Sequence, residues 1–335
     1  MSTPNNIAAY VLRETAEGVR GAMATVGPDD LGEGDVLIRV THSSVNYKDG
    51  LAATGRAKIA QTLPLIGGCN ASGIVADPGE SGLHAGQKVT VVGASLSEKH
   101  PGGFAEFVRV PGSWVAPLPE GMTTWESMAI GTAGLTAAMA IHKLEKNGGL
   151  NPSSGPVAVT GASGGSGTLA VAMLAKRGYD VTAITGTPSS EALLRQLGAT
   201  QVLARPDVSA RTRPLEHASW VGAIDTVGGD VLAWLLRTTL PGGSVAAFGN
   251  AGGNALNTTV LPFILRGINL LGVTVSFPDP AFRAQMWDQV AADLPHSALE
   301  AVTQTIAFTE LGGALEAIVE NRTVGRVVVE LSSEG

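Results

Sequence analysis

The sequence predicts an α/β protein of two domains, one β-rich and one built on a six-stranded parallel sheet. Three observations carry this reading. Residues 1–122 hold short β-like runs separated by turn residues. From residue 123 onward, apolar strand-like runs alternate with helical ones. At the first strand-to-helix turn of that second region stands Val159-Thr-Gly-Ala-Ser-Gly-Gly-Ser-Gly167.

The β-like runs of the first region are Asp35–Val40, Gly73–Ala76, Lys88–Val92 and Phe104–Val110. Asp77-Pro-Gly79 and Pro101-Gly-Gly103 punctuate them as turns. Thr123-Thr-Trp-Glu126 has the Ser/Thr-x-x-Glu spacing of a helix start. Strands are then expected at Pro156–Thr160, Asp180–Thr185, Gln201–Leu203, Gly222–Asp225, Ser244–Phe248 and Asn269–Val273. Helices are expected at Thr168–Arg177, apolar almost all round, and at Ser190–Leu197. Apolar strands between helices predict a parallel sheet covered on both faces, and six of them match a dinucleotide (Rossmann) fold. The last run, Gly325–Leu331, is expected to return to the first domain. The predicted domains are 1–122 plus 298–335, and 123–297.

Composition narrows the function. The chain has 335 residues, a net charge of −7 and only 15% charged residues. An acidic chain of this kind is not built to bind nucleic acid or an anionic membrane. With 44% hydrophobic residues it is not a disordered chain. Its single cysteine, Cys69, excludes an internal disulfide and any zinc site built on several thiolates. The six histidines (His42, His84, His100, His142, His217 and His296) are scattered, so no metal is expected. The first residues show neither a basic region nor an apolar one, and no stretch of 18 apolar residues occurs, so a cytoplasmic protein is expected.

The glycine loop is the sharpest local signal. Gly161, Ser163, Gly164, Gly165, Ser166 and Gly167 would let the backbone and the following helix N-terminus approach a pyrophosphate. An ordinary tight turn is the alternative, made less probable by its place in a β/α series. The acid expected about 20 residues further on, to bind ribose hydroxyls, is missing. The second strand ends instead in Thr185, Thr187, Ser189 and Ser190. Neutral hydroxyls tolerate a 2′-phosphate, which favours NADPH over NADH. A merely polar turn is the other reading. Phe248, Gly249 and Thr274 follow the fifth and sixth strands, at the edge where open α/β sheets bind ligands.

The order of motifs resembles the medium-chain dehydrogenase/reductase superfamily, and within it the zinc-free quinone oxidoreductase branch and its acryloyl-CoA reductase (NADPH) group. The segments that carry this are Ser44–Gly55, Gly102–Phe107, Ala129–Ala137, Thr160–Gly167, Ile224–Gly228, Thr258–Arg266 and Gly325-Arg326. Short-chain dehydrogenases use a similar glycine loop, but they need a Tyr-x-x-x-Lys pair, which this chain lacks. The resemblance implies a Rossmann cofactor domain and a β-rich, GroES-like catalytic domain. Where the wider superfamily places its first zinc-ligating cysteine, this chain has the Ser43-Ser44 neighbourhood.

The resemblance places Asn46 beside the nicotinamide; helix capping is its other reading. It places Tyr47 in the catalytic loop as a proton donor or a partner of the substrate oxygen, against a packing aromatic. Thr132 would contact the nicotinamide half or serve close packing. The family usually reads Pro-Gly-Ile-Asp-Phe-Ala-Gly where this chain has Gly67-Gly-Cys-Asn-Ala-Ser-Gly73, and Gly-Arg where it has Gly186-Thr187. These departures bear on NADPH preference and on acryloyl-CoA as substrate. The expected activity is NADPH-dependent reduction of an activated C=C bond in an enoyl thioester or enone. Alternatives are an NADPH quinone oxidoreductase and a non-catalytic NADPH-binding protein. The expected partners are a small molecule, a CoA thioester among the candidates, and a second copy in a homodimer.

Overall fold

The structure is a computed structural model, and it describes residues 4–208, 213–276 and 279–332. In chain order the elements begin with β1 (Ile7–Thr15), β2 (Gly18–Val26), β3 (Val36–Val45), α1 (Tyr47–Ala53), β4 (Leu65–Ile66), β5 (Asn70–Asp77), β6 (Lys88–Val92), β7 (Phe107–Val110) and β8 (Ala116–Pro117). Next come α2 (Thr124–Gly148), β9 (Pro156–Thr160), α3 (Gly165–Lys176), β10 (Asp180–Thr185), α4 (Glu191–Gln196), β11 (Gln201–Ala204) and β12 (Trp220–Asp225). The chain continues through α5 (Gly229–Thr238), β13 (Thr239–Ala247), α6 (Leu261–Arg266), β14 (Asn269–Gly272), α7 (Pro280–Asp293) and α8 (His296–Val302). It closes with β15 (Thr303–Ala307), α9 (Leu311–Val319) and β16 (Arg326–Glu330). Two compact units result: Met1–Thr132 with Val275–Asp288 and Thr303–Gly335, and Ala133–Thr274 with Gln289–Val302.

The first unit is β-rich. One sheet runs β15-β16-β3-β5-β6-β8, with β7 paired to β3; a smaller one runs β2-β1-β4. The alternation along β3 and β5 sends Val36, Ile38, Val40, Ala71 and Val75 into one apolar cluster. The returning strand β16 pairs antiparallel with β3, Val327 opposite Val45 and Val329 opposite Ser43. The C-terminal segment thus completes this sheet.

The second unit is a parallel sheet in the order β11-β10-β9-β12-β13-β14. This is a doubly wound order, which reverses direction between β9 and β12. Its strands are apolar because helices cover both faces. Gly167 to Leu174 of α3 are all buried, as expected of a helix apolar around its circumference. Ala158, Ile184, Ala223, Leu235 and Val245 form the core against α5. The strands read from sequence stand where expected, with ends shifted by a few residues. The exception is β13, which begins at Thr239, five residues before the expected Ser244. The hairpin β1–β2, paired from Ile7–Val26 to Thr15–Gly18, was not among the sequence expectations.

Thr123 and Glu126 cap α2 reciprocally: Glu126 accepts from the Thr123 amide at 2.8 Å, and the Glu126 amide donates to Thr123 Oγ1 at 3.1 Å. The helix breaks at Gly131, whose φ of 47° and ψ of −154° are not helical.

Candidate functional site

In the second unit, β9 ends at Thr160 and the chain turns through Gly161, with φ 59°, into α3. A methyl group on Gly161 would overlap the Thr226 hydroxyl, and one on Gly167 would overlap the Gly161 carbonyl oxygen. The turn therefore packs as tightly as backbone allows, which explains its glycines. The amide of Gly164 closes the turn onto Gly161 O at 2.9 Å, and the Thr168 amide reaches Gly164 O at 2.9 Å. Between them Gly165, Ser166 and Gly167 occupy the first turn of α3, whose amides have no intrahelical acceptor. Three such donors at a positive helix end suit a pyrophosphate.

A buried carboxylate braces this turn from β12. Asp225, fully buried, accepts from Thr160 Oγ1 at 2.7 Å, the Gly228 amide at 2.8 Å and the Val227 amide at 3.3 Å. Thr226 Oγ1 donates back to Thr160 O at 2.9 Å. Burial pushes the Asp225 carboxyl above its ordinary range, and the three donors oppose that shift. The sequence reading quoted this segment as a motif and gave it no role. An Asp at a strand end, facing the free amides of a Gly-Gly helix start, was the available signal.

Ser163 is buried and accepts from Thr185 Oγ1 at 2.9 Å. The Thr185 hydroxyl also accepts the Thr187 amide at 3.0 Å. Of the four hydroxyls at the end of β10, Thr185 and Ser190 therefore hold the turn together, Ser190 donating to Thr187 O at 2.6 Å. Thr187 is half-buried and Ser189 exposed, and neither hydroxyl has a hydrogen-bond partner among the described residues. Phe248 follows β13, its amide donating to Asp225 O at 3.2 Å. Gly249 lies against the Thr226 backbone so closely that no side chain fits there. Thr274 is exposed beyond β14.

In the first unit a second polar cluster surrounds the start of α1. Asp49 reaches back to the Asn46 amide at 3.0 Å, accepts the Cys69 amide at 2.9 Å, and receives Asn46 Nδ2 at 3.1 Å. The Asn46 side chain is occupied at both ends: Nδ2 also lies 3.2 Å from Ser44 O, and Oδ1 accepts Arg326 Nη1 at 3.3 Å. Asn46 thus bridges Asp49, whose carboxyl burial pushes above its ordinary range, and the buried guanidinium of Arg326. Arg326, 3% exposed, further donates to Ala129 O at 2.9 Å, Met128 O at 3.2 Å and Val45 O at 3.3 Å. Burial lowers its pKa to about 10, against the pull of Cys69 and Asp49, so it remains charged at neutral pH. Burial pushes the Cys69 thiol up to about 12, and the Asp49 carboxylate adds to the rise. That thiol is a hydrogen-bond donor, 3.4 Å from Asp49 Oδ2, and not a nucleophile.

Thr132 donates to Asn70 Oδ1 at 2.6 Å, and Asn70 Nδ2 donates to Ser44 Oγ at 2.8 Å. Tyr47, the first residue of α1, is half-buried, and its phenol has no hydrogen-bond partner among the described residues. Lys48 makes its contact ion pair with Glu98, and its charge acts on the neighbouring Asp49 only through space. Successive residues of a helix point about 100° apart, so Lys48 meets Glu98 at 2.6 Å while Asp49 turns inward. Arg266 holds the carbonyls of Arg237, Thr239 and Glu216, and Arg283 those of Ser113 and Trp114. Both are structural clamps.

Residues 32–120 match the alcohol dehydrogenase GroES-like domain, and residues 165–292 the zinc-binding dehydrogenase family. A probable acrylyl-CoA reductase of Escherichia coli is 44% identical over 97% of this chain and 99% of its own length. The chain belongs to the medium-chain dehydrogenase/reductase superfamily. A putative quinone oxidoreductase of Bacillus subtilis is 43% identical over 96% of this chain and 98% of its own; the crystal structure of that protein, with NAD bound, superposes with a TM-score of 0.92. An oxidoreductase from Salmonella enterica in complex with NADP is 42% identical, covers 97% of this chain and 100% of its own, and has a TM-score of 0.94.

Zinc, which the name of the second matched family brings to mind, does not fit the residues present. Among the described residues no three His, Cys, Asp or Glu side chains converge. The cluster at the start of α1 offers one protonated thiol, Cys69, and one carboxyl, Asp49, against the three protein ligands that a catalytic zinc takes.

Two substitutions test these clusters. Gly167→Val should remove most dinucleotide affinity, because its side chain must displace the Gly161 carbonyl; calorimetric titration of the cofactor reads the loss. Gly131→Ala should destabilise the protein by about 1–3 kcal/mol, the range for a strained backbone, measured by urea denaturation. A Cβ there would sit 2.9 Å from Arg326 Nη2, Asn70 Nδ2 and Ser44 Oγ. At an unstrained helix position the same change would stabilise by about 1 kcal/mol, so the sign of the effect is decisive.

Proposed function

We propose that this chain is an NADPH-dependent reductase of activated C=C bonds, acting on an enoyl thioester of the acryloyl-CoA type or on an enone. The observation that carries the reading is the end-to-end likeness to the Escherichia coli acrylyl-CoA reductase relative, 44% over 97% of the chain. The glycine turn supports it: its first-turn amides and its lack of side chains fit a dinucleotide. In this reading Gly161, Ser163, Gly164, Gly165, Ser166 and Gly167 cradle the pyrophosphate. Thr185, Thr187 and Ser189 border the adenosine ribose, and Phe248, Gly249, Thr274 and Thr132 line the way to the nicotinamide. No acid follows β10 to repel a 2′-phosphate, which supports NADPH.

When bound, the cofactor supplies a hydride to the β-carbon of the acceptor. The chain's own residues hold the rest of the chemistry. Tyr47 presents a free phenol, suited to hydrogen-bond the carbonyl oxygen as negative charge gathers there and to protonate the α-carbon. Asn46 acts on Tyr47 indirectly, since its amide is spent on Asp49 and Arg326 and fixes the start of α1. It is a positioning residue.

A quinone acceptor is the second reading, favoured by the likeness to the Bacillus subtilis putative quinone oxidoreductase. NADPH oxidation against acryloyl-CoA, crotonyl-CoA, simple enones and quinones separates the two. Turnover on thioesters or enones supports the proposal, turnover on quinones alone supports the second reading, and none at all leaves an NADPH-binding protein. Tyr47→Phe should lower kcat by about 10²–10⁴, the usual range for lost general acid help, and leave NADPH affinity nearly unchanged. A variant that retains kcat assigns the proton to water.

The same reading makes the protein a cytoplasmic homodimer with no nucleic-acid or membrane partner. Among the described residues no helix is long and apolar enough to cross a membrane. The edge strand β14 and the segment before it expose Val260 at 64%, Ile264 at 68%, Leu265 at 63% and Leu270 at 37%. Apolar side chains beside an unpaired strand edge suit a two-fold interface with a second copy. Light scattering should give twice the chain mass at micromolar concentration, and Ile264→Glu should shift it to monomer.

A further inference from the structure

In the first unit, the β1–β2 hairpin, the C-terminal end of α1 and helix α9 line an open cleft that the proposed reaction does not use. Its volume is about 370 Å³, within the size range of small-molecule sites. Tyr10 of β1 lines this cleft and is only 7% exposed. Two glycines leave its phenol oxygen open. A methyl group on Gly21 would overlap the Tyr10 ring and stand 2.9 Å from the hydroxyl, and one on Gly312 would stand 3.7 Å from it. The hydroxyl has no hydrogen-bond partner among the described residues. A phenol this deeply buried usually finds one. Burial raises its pKa and the Glu316 carboxylate adds to the rise, so it stays protonated and can donate.

The charges that line the cleft are unevenly committed. Gly312, Glu316 and Glu320 follow one another at four-residue spacing along one face of α9. Glu320 is engaged by Arg322 at 2.6 Å and faces Arg56 at 3.9 Å. Glu316 has no ion-pair or hydrogen-bond partner among the described residues. Arg56 spends Nη1 on Val319 O at 3.0 Å. Arg20 of β2 uses Nη1 alone, donating to Val19 O at 2.9 Å and to Thr54 O at 3.0 Å. Those two carbonyls fix the guanidinium, and its Nε and Nη2 donors remain unspent. The cleft thus holds an anchored cation and a carboxylate that do not pair with each other, beside a neutral donor. A simple anion would meet Glu316 and Glu320, and a simple cation would meet Arg20 and Arg56. A molecule carrying both charges answers both walls.

We infer that this cleft binds a small zwitterion of the amino-acid class, with its carboxylate on Arg20, its ammonium on Glu316 and the Tyr10 hydroxyl as a third contact. The inference is independent of the reductase reading. Arg20 and Glu316 are both exposed, so solvent screens the two ion pairs and the affinity is modest, with a Kd on the order of 1 mM.

Saturation-transfer NMR titration of the full chain with L-alanine, L-glutamine, L-alaninamide and propionate tests it. The amide lacks the carboxylate and propionate lacks the ammonium. At least one of the two amino acids should bind saturably, and alaninamide and propionate should each bind about 3- to 10-fold more weakly, the scale of a solvent-screened ion pair with its hydrogen bond. Glu316→Gln should weaken the bound amino acid by the same factor and leave propionate unchanged. Tyr10→Phe should weaken the amino acid about 3- to 10-fold without lowering the melting temperature, because the hydroxyl it removes has no partner in the fold. Three results would overturn the assignment: no saturable binding of either amino acid, equal affinity for L-alanine and propionate, or a Tyr10→Phe chain that melts lower and binds as well as wild type.

Discussion

The first unit is organised around one buried cation. Arg326 lies on the last strand and donates to the carbonyls of Val45, Met128 and Ala129 and to the Asn46 side chain. Those acceptors come from the end of β3, the first half of α2 and the cap of α1, segments far apart in sequence. A guanidinium has five donors in a rigid fork, so a single side chain can fix all three. Its charge is answered by Asp49 through the Asn46 amide and not by direct contact. A buried charge left without its partner is costly, so the position of Asn46, and with it that of Tyr47, follows from electrostatics as much as from packing.

On the proposed reading the second unit has a different task, which is to bring backbone amides to an anion without intervening side chains. Gly161, Gly167 and Gly249 are sites where an added carbon would overlap neighbouring chain. Asp225 and Thr160 then stiffen the loop so that its amides keep their direction. Preorganised donors bind a phosphate without paying for their own ordering.

Much of this was legible in the sequence, because apolar β/α alternation and glycine turns are local signals. The six parallel strands and α3 appear in the order the pattern gave, with β13 starting five residues early and α3 three residues early. The break in α2 was hidden, since Gly131 lies in an otherwise helical run and the guanidinium it packs against, Arg326, is nearly 200 residues away. Asn46 was expected beside the nicotinamide or as a helix cap; its capping contact with Asp49, three residues on, is local, whereas its contact with Arg326 comes from the fold. The hydroxyls after β10 read as four equivalents, and only the fold divides them into two that hold the turn and two without a hydrogen-bond partner among the described residues.

The central claim is that Asn46 couples Asp49 to Arg326 across a distance at which they do not touch. A double-mutant cycle with Arg326→Met and Asp49→Asn, read by urea denaturation, measures that coupling directly. The account predicts that the double variant is more stable than the sum of the single losses implies, by at least about 1 kcal/mol, since neutralising the second charge relieves the one left unpaired. Losses that add within about 0.3–0.5 kcal/mol would show that the two charges act independently and would contradict it.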